Sequence, residues 1–280
     1  MRRPVIKASF LILSLLLGQG LARPSIAAAQ TAQQLVAEAR ALPPEREPVV
    51  ALSLFEQALQ LDPNNYEATW RAAQALADIG KQYPDEGKNP TRDSLYIRAE
   101  SLARIAVQLD SMDANSHFMM AVAIGRTSLT KGGKERVRNA KVIRDETLRC
   151  LEIDPNHDKA WHVLGRWNAE IRRLSGLTRF FAKTFLGAGI FNEASWDKAV
   201  EYLEKAVQLS PENIYHRLDL ALVYIDVEQY TKAREQLQTV LELPVYDYMD
   251  PKYQDQARDL LKKIEGKKDK EQESAPAESQ

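Results

Sequence analysis

Cysteine is almost missing from this chain: Cys150 is the only one in 280 residues, so no intrachain disulfide can form and no cysteine cluster can hold a metal. Histidine is nearly as scarce. His117, His157, His162 and His216 are the full set, none forms an H-x-x-x-H pair, and His157 and His162 stand five apart, on different faces of a helix. No metal site or cofactor is readable from them. Gly132 and Gly133 precede Lys134 but lack the further glycine and the Ser/Thr of a phosphate loop, so they read as a turn. No nucleophile, base and orienting group can be assembled, which points away from an enzyme.

Long apolar runs are missing too. The longest stretch, Phe10 to Leu17, is far shorter than the roughly 20 residues of a spanning helix, but it follows Arg2, Arg3 and Lys7 and precedes the small residues Ala27 to Ala29. Residues 1–29 are therefore expected to be a secretory signal peptide, with the mature chain periplasmic or secreted. Cleavage removes four cations and takes the formal net charge from -1 to -5. The charge is uneven: Arg126 to Lys183 holds 14 Lys/Arg against 7 Asp/Glu, an asymmetry that bears on partners and not on fold. The basic run Lys131 to Arg149 lacks interleaved aromatics, so a solvated helix is expected there and no nucleic-acid partner.

With 44% hydrophobic and 28% charged residues, the rest of the chain can bury a continuous core. Its organisation is repetitive. Four segments share one helix end: ALQLDP (58–63), AVQLDS (106–111), CLEIDP (150–155) and AVQLSP (206–211). Apolar residues three and four apart precede each, and proline or a turn former stops the helix. The stretch Asp154 to Trp167, DPNHDKAWHVLGRW, joins such an end to a W-x-x-L-G pattern on Trp161, Leu164 and Gly165, with Asn168 where the repeat carries Tyr. This is the signature of a tetratricopeptide repeat junction.

The expected fold is all-α: a right-handed solenoid of five helical hairpins over residues 30–265. The helix pairs are 31–42 with 46–61, 65–80 with 92–109, 113–126 with 136–153, 157–173 with 195–209, and 213–226 with 230–243, closed by a capping helix near 250–265. The helix ends lie 48, 44 and 56 residues apart, against about 34 for an ordinary repeat. The excess is assigned to enlarged loops inside repeats two to four. Ala58, Ala106, Cys150 and Ala206 share one repeat position where helices approach closely, which makes Cys150 a buried small side chain. The polar tail, Gly266 to Gln280, is expected to be disordered.

AWHVLGRW (160–167), the insertion LSGLTRFFAKTFLGAGIFNEASW (174–196), AVEYLEKAVQLSP (199–211) and HRLDLALVYIDVEQYTKAREQL (216–237) together resemble the regulator of microtubule dynamics proteins and their bacterial relatives, over roughly residues 95 to 264. The resemblance implies a helical repeat domain that binds macromolecules, and in some eukaryotic members a lipid-handling role. The signal peptide departs from that picture, because an exported chain does not meet microtubules.

In such a superhelix, repeat positions 2, 5 and 9 of the first helices face the concave groove. They place Trp70, Phe118, Tyr215, Leu218 and Leu222 as its walls and Lys159, His162 and Arg166 as a basic patch. A protein or peptide ligand with an acidic group suits that lining. A phospholipid is the alternative. The insertion adds Leu177, Phe180, Phe181 and Phe185 on one helical side and Arg179 and Lys183 on another, an element that covers its own repeat or touches a membrane peripherally.

Overall fold

The computed structural model describes residues 30–43, 48–176, 178 and 189–270. Eleven α-helices form among them, with no strand. They pair as the register requires: α1 (Ala32–Arg40) with α2 (Pro48–Leu61), α3 (Tyr66–Gly80) with α4 (Pro90–Leu109), and α5 (Ala114–Thr127) with α6 (Gly133–Ile153). Next come α7 (Asp158–Arg173) with α8 (Trp196–Leu209) and α9 (Ile214–Asp226) with α10 (Tyr230–Glu242), then the cap α11 (Asp250–Lys263).

The shared helix ends explain this punctuation. The carboxylates of Asp62, Asp110 and Asp154 each accept the backbone N–H two residues on, at 3.2, 2.8 and 2.9 Å, which turns the chain. Three residues after each turn-forming position stands the N-cap of the next helix. Asn65, Asp113, His157 and Asn213 accept from the first turns of α3, α5, α7 and α9. Each such cap contributes about 1 kcal/mol. One four-residue unit therefore stops one helix and starts the next.

Small residues set the helix spacing. Ala58, Ala106, Cys150 and Ala206 are fully buried. On the first helices the matching small positions are Ala73, Ala121, Gly165 and Ala221, and a Cβ added to Gly165 would lie 2.6 Å from Leu203 Cγ. The first helices of neighbouring repeats also touch one another, α3 to α5, α5 to α7 and α7 to α9, and so form one continuous layer.

The excess residues are not only loop. In the second and third repeats much of the extra length extends the second helix: α4 has 20 residues and α6 has 21. Asn89 caps α4 and Pro90 opens it, while the segment after Gly133 is rich in Lys, Glu and Arg and contains no helix breaker. The loops that remain are 81–89 and 128–132, the second including a short 3₁₀ turn, Ser128–Thr130. In the fourth repeat the far end of the insertion returns as a 3₁₀ segment, Gly189–Glu193, whose Phe191 packs with Trp167, Ile171 and Ala194 against the added turns of α6. Asn168 holds that return by accepting from the Ser195 N–H at 3.2 Å.

The first residues of the polar tail make contacts with the last hairpin. Asp269 accepts from the Thr231 N–H at 2.8 Å and the Lys270 N–H donates to Glu228 at 3.1 Å, so the chain through Lys270 is tied to the start of α10. The signal-peptide stretch 1–29 and residues 271–280 lie outside the described residues. No helix among the described residues is long and apolar enough to cross a membrane.

Candidate functional site

Of the residues expected in the groove, those at position 5 are buried rather than open. Trp70, Phe118, His162 and Leu218 each retain less than a tenth of their exposure. Phe118 packs on the His157 ring at 4.7 Å, and the Arg71 guanidinium lies 4.3 Å over the Trp70 ring. Leu222 and Tyr215 are half-buried and Lys159 is exposed.

His162 does not belong to a basic patch. Its Nε2 lies 2.7 Å from Asp219 Oδ2, both side chains are buried, and burial lowers its pKa to about 4 against the opposing pull of that carboxylate. His162 is therefore neutral near pH 7 and acts as a hydrogen-bonding spacer. Burial alone would raise Asp219. The Arg166 charge, with Arg166 Nη1 at 3.4 Å, and the His162 hydrogen bond outweigh it and hold that carboxyl at about 2. A second pair sits beside the first. The His216 ring packs at a tilt against His162, centroids 4.7 Å apart, and its Nε2 lies 2.9 Å from Asp158, whose pKa is held to about 2 by the hydrogen bond from His216 despite burial.

Arg166 stays partly open to solvent. It donates to the Tyr215 hydroxyl, and its side chain keeps 38% exposure although Asp219, Tyr215 and Glu170 surround it. Of the three cations expected together, only Arg166 joins this cluster as a partly open charge, the candidate floor of the groove.

Four further residues complete this floor. Arg126 stands eight residues, about two helical turns, beyond Phe118 on α5, so the same periodicity that selects positions 2, 5 and 9 reaches it at position 13. Tyr96 comes from a second helix, α4, and packs over Gly80 Cα, where no side chain stands in its way. Tyr253 comes from the cap, its ring stacked on Tyr215 at 4.8 Å and 15°. Just before the cap, Tyr248 donates to the main-chain carbonyl of Asp78 at 2.7 Å. The C-terminal segment thus reaches back to the second hairpin instead of merely shielding the last one. Only a long-range contact of this kind could reveal Tyr96, Tyr248 and Tyr253, since none of them lies on the first helix of a repeat.

Leu177, Arg179, Phe180, Phe181, Lys183 and Phe185 lie outside the described residues. A separate cavity of about 550 Å³ is lined by Trp161, Glu201, Tyr202, Glu204, Lys205 and Gln208, with the Trp161 and Tyr202 rings 5.4 Å apart. Cys150 is fully buried, and burial raises its thiol to about 12. It is a packing residue.

Residues 30–265 match the family profile "Regulator of microtubule dynamics protein 1-3". The chain belongs to this family. The match extends well to the N-terminal side of the region whose sequence resemblance is plainest. Among relatives, it is 23% identical to regulator of microtubule dynamics protein 1 of Bos taurus, over 70% of this chain and 61% of that protein. It is also 23% identical to regulator of microtubule dynamics protein 3 of Rattus norvegicus, over 68% of this chain and 40% of that protein. The chain thus matches about three-fifths or less of these relatives' own lengths. Among solved structures, a thermophilic TPR protein of Thermus thermophilus aligns with a TM-score of 0.59 and 18% identity, over 81% of this chain and 99% of that one. That likeness establishes the tetratricopeptide fold.

Proposed function

We propose that this member of the family is an exported, non-enzymatic scaffold that holds a protein or peptide partner on its concave face. The observation that carries the reading is the floor built from Arg166 and Tyr215, where a guanidinium and an aromatic remain partly open to solvent inside an otherwise packed layer. A guanidinium pairs with a carboxylate in a planar fork, and neighbouring aromatics bury the apolar part of the same ligand. The relatives' names speak of regulation, a task done by binding; export removes microtubules themselves from consideration.

A phospholipid would use the same chemistry with acyl chains against the aromatics. Native mass spectrometry of the purified protein, lipid extraction and partner capture distinguish the two. A captured protein lost on Arg166→Glu, with no co-purifying lipid, is the expected result. Co-purifying phospholipid displaced by the same substitution overturns the peptide reading in favour of the lipid one. N-terminal sequencing of secreted material tests export, with a new terminus at Gln30 expected.

A further inference from the structure

Arg126 is a largely enclosed charge with little engagement. Its guanidinium donates no hydrogen bond of good geometry to any described residue, its one ionic neighbour, Asp85, is 3.6 Å away, and its side chain is only 19% exposed. Five N–H donors on a charged group are rarely left so nearly enclosed without an acceptor. Asp85 is half exposed on the 81–89 loop and is free to turn outward.

Two hydroxyls beside it have protons to give. Tyr96 is fully buried and its hydroxyl faces Arg126 without a well-formed hydrogen bond; burial raises its pKa, and the charge and weak contact of Arg126 only partly oppose that rise. Tyr215 accepts from Arg166 and keeps its own O–H unspent. Arg126 lies within electrostatic reach of both tyrosines and of Arg166. The carboxylates nearby are Asp85, Glu170 and Asp219, with Asp78 and Asp247 beside Tyr248 and Tyr253; Asp78 is paired with Lys81 at 2.6 Å and Asp247 accepts from the Met249 N–H at 2.9 Å. Asp219 is already engaged by His162 and Arg166, and Glu170, 3.6 Å from Arg166, is claimed by Arg173 at 2.7 Å. The floor therefore offers donors in excess of acceptors.

We propose that Arg126 and Arg166, with the hydroxyls of Tyr96 and Tyr215, bind a single oxyanion group, a phosphate or carboxylate carried by the ligand, on the floor of the concave face. The assignment rests on the concave-face reading above and names the part of the ligand that this face recognises. Arg126 is the anchoring residue. A bidentate oxyanion satisfies its fork, gives Tyr96 its missing partner and displaces Asp85 to solvent. Because Tyr253 stacks on Tyr215, the cap helix is part of the site and the pocket is complete only while that helix is docked.

Isothermal titration of the purified protein with inorganic phosphate, and separately with acetate, tests this in chloride buffer of matched ionic strength. Saturable one-site binding is expected, weakened at least tenfold by Arg126→Gln and also by Arg126→Lys, which keeps the charge but loses the fork. Arg149→Gln, at the surface of α6, leaves it unchanged. Tyr96→Phe removes only an unpartnered hydroxyl and lowers phosphate affinity several-fold without lowering Tm, so the site stays testable if the arginine variants fold poorly. Absence of saturable binding by the parent protein, or parent-like affinity in well-folded Arg126→Gln, overturns the proposal.

Sedimentation with phosphatidylcholine vesicles containing phosphatidic acid separates the sources. Co-sedimentation lost in Arg126→Gln assigns a lipid headgroup, and phosphate binding without co-sedimentation assigns a soluble ligand. Partner capture without anion binding overturns the site alone, while anion binding without any partner leaves the site standing and overturns the scaffold reading.

Discussion

The hydroxyl of Tyr248 donates a 2.7 Å hydrogen bond to the carbonyl of Asp78, joining positions 170 residues apart. The contact links the segment before the cap to the end of α3 and so ties the start of α11 to the second hairpin. Tyr248→Phe keeps the ring and removes the donor, so the expected loss is about 1 kcal/mol. Hydrogen exchange should localise the effect. Amides of α11 exchange faster in the variant while those of α5 and α6 are unchanged; uniform acceleration would mean that the bond supports the whole fold.

The His162–Asp219 pair predicts an acid-sensitive core. His162 is held by burial at about 4, below its ordinary 6.5, so between those values the unfolded chain takes up a proton that the folded chain refuses. Stability is accordingly full above about pH 6.5 and falls as pH drops toward 4. Asp219 and Asp158, both held at about 2 against an ordinary 3.8, add to the loss as pH falls further, because their protonation favours the unfolded state. Each pH unit inside such a window is worth about 1.4 kcal/mol per group, so the His162 contribution between pH 7 and pH 5 is about 2 kcal/mol. Urea midpoints across this range measure it, and His162→Gln should flatten the slope. An unchanged slope would show that His162 is not the titrating group.

Cys150 should be chemically silent. It is fully buried, and burial raises its thiol to about 12, which leaves almost no thiolate at neutral pH. A disulfide-exchange dye is expected to label no thiol in the native protein and one after denaturation. Rapid native labelling would mean that α6 opens away from α5 on the timescale of the reaction.

The helix pairing, the small-residue positions and the buried cysteine are all legible in the sequence because they depend on local rules. Turn formers at fixed offsets, a 3.6-residue period and side-chain volume act within one repeat. The floor of the groove is legible only in part. Arg166 and Tyr215 follow from register, and Arg126 follows from extending that register by one turn. His162 carries the right position but the wrong charge, since its state is decided by Asp219, 57 residues away. Tyr96, Tyr248 and Tyr253 depend on how far the hairpins curl and where the cap returns, which no single repeat specifies. The long second helices of the second and third repeats are legible almost to their starts: they are expected from 92 and 136 and begin at Pro90 and Gly133, because a proline and a glycine at the first helical positions read as turn formers.

Gly165 is required by helix approach. A Cβ there would lie 2.6 Å from Leu203 Cγ and 3.1 Å from the Leu203 backbone nitrogen, and the backbone atom cannot move without separating α7 from α8. Gly165→Ala should cost about 1 to 3 kcal/mol despite the better helix propensity of alanine. Gly132→Ala meets nothing within 4 Å and should be close to neutral. Thermal melts of the two variants side by side check the contrast, and equal Tm values would show that α7 and α8 have slack at their crossing.

Glu228 offers the opposite case, a position where glycine is missing. The α9 helix closes with the Gln229 N–H donating to Tyr224 at 2.8 Å and the Glu228 N–H to Ile225 at 3.1 Å, a bond pattern that places Glu228 in the left-handed region at φ 60°. Glycine is the residue this helix ending favours, because a Cβ there crowds the adjoining backbone. The side chain gives little in return, since its ion pair with Lys270 spans 3.9 Å between exposed groups. Glu228→Gly should therefore stabilise the protein by about 0.5 to 1 kcal/mol, the strain relieved exceeding the added flexibility of the unfolded chain. Urea unfolding measures the gain, and Glu228→Ala, which keeps the Cβ, should not share it. A loss of stability in the glycine variant would mean that the Lys270 contacts, which tie the start of the tail to α10, outweigh the backbone term.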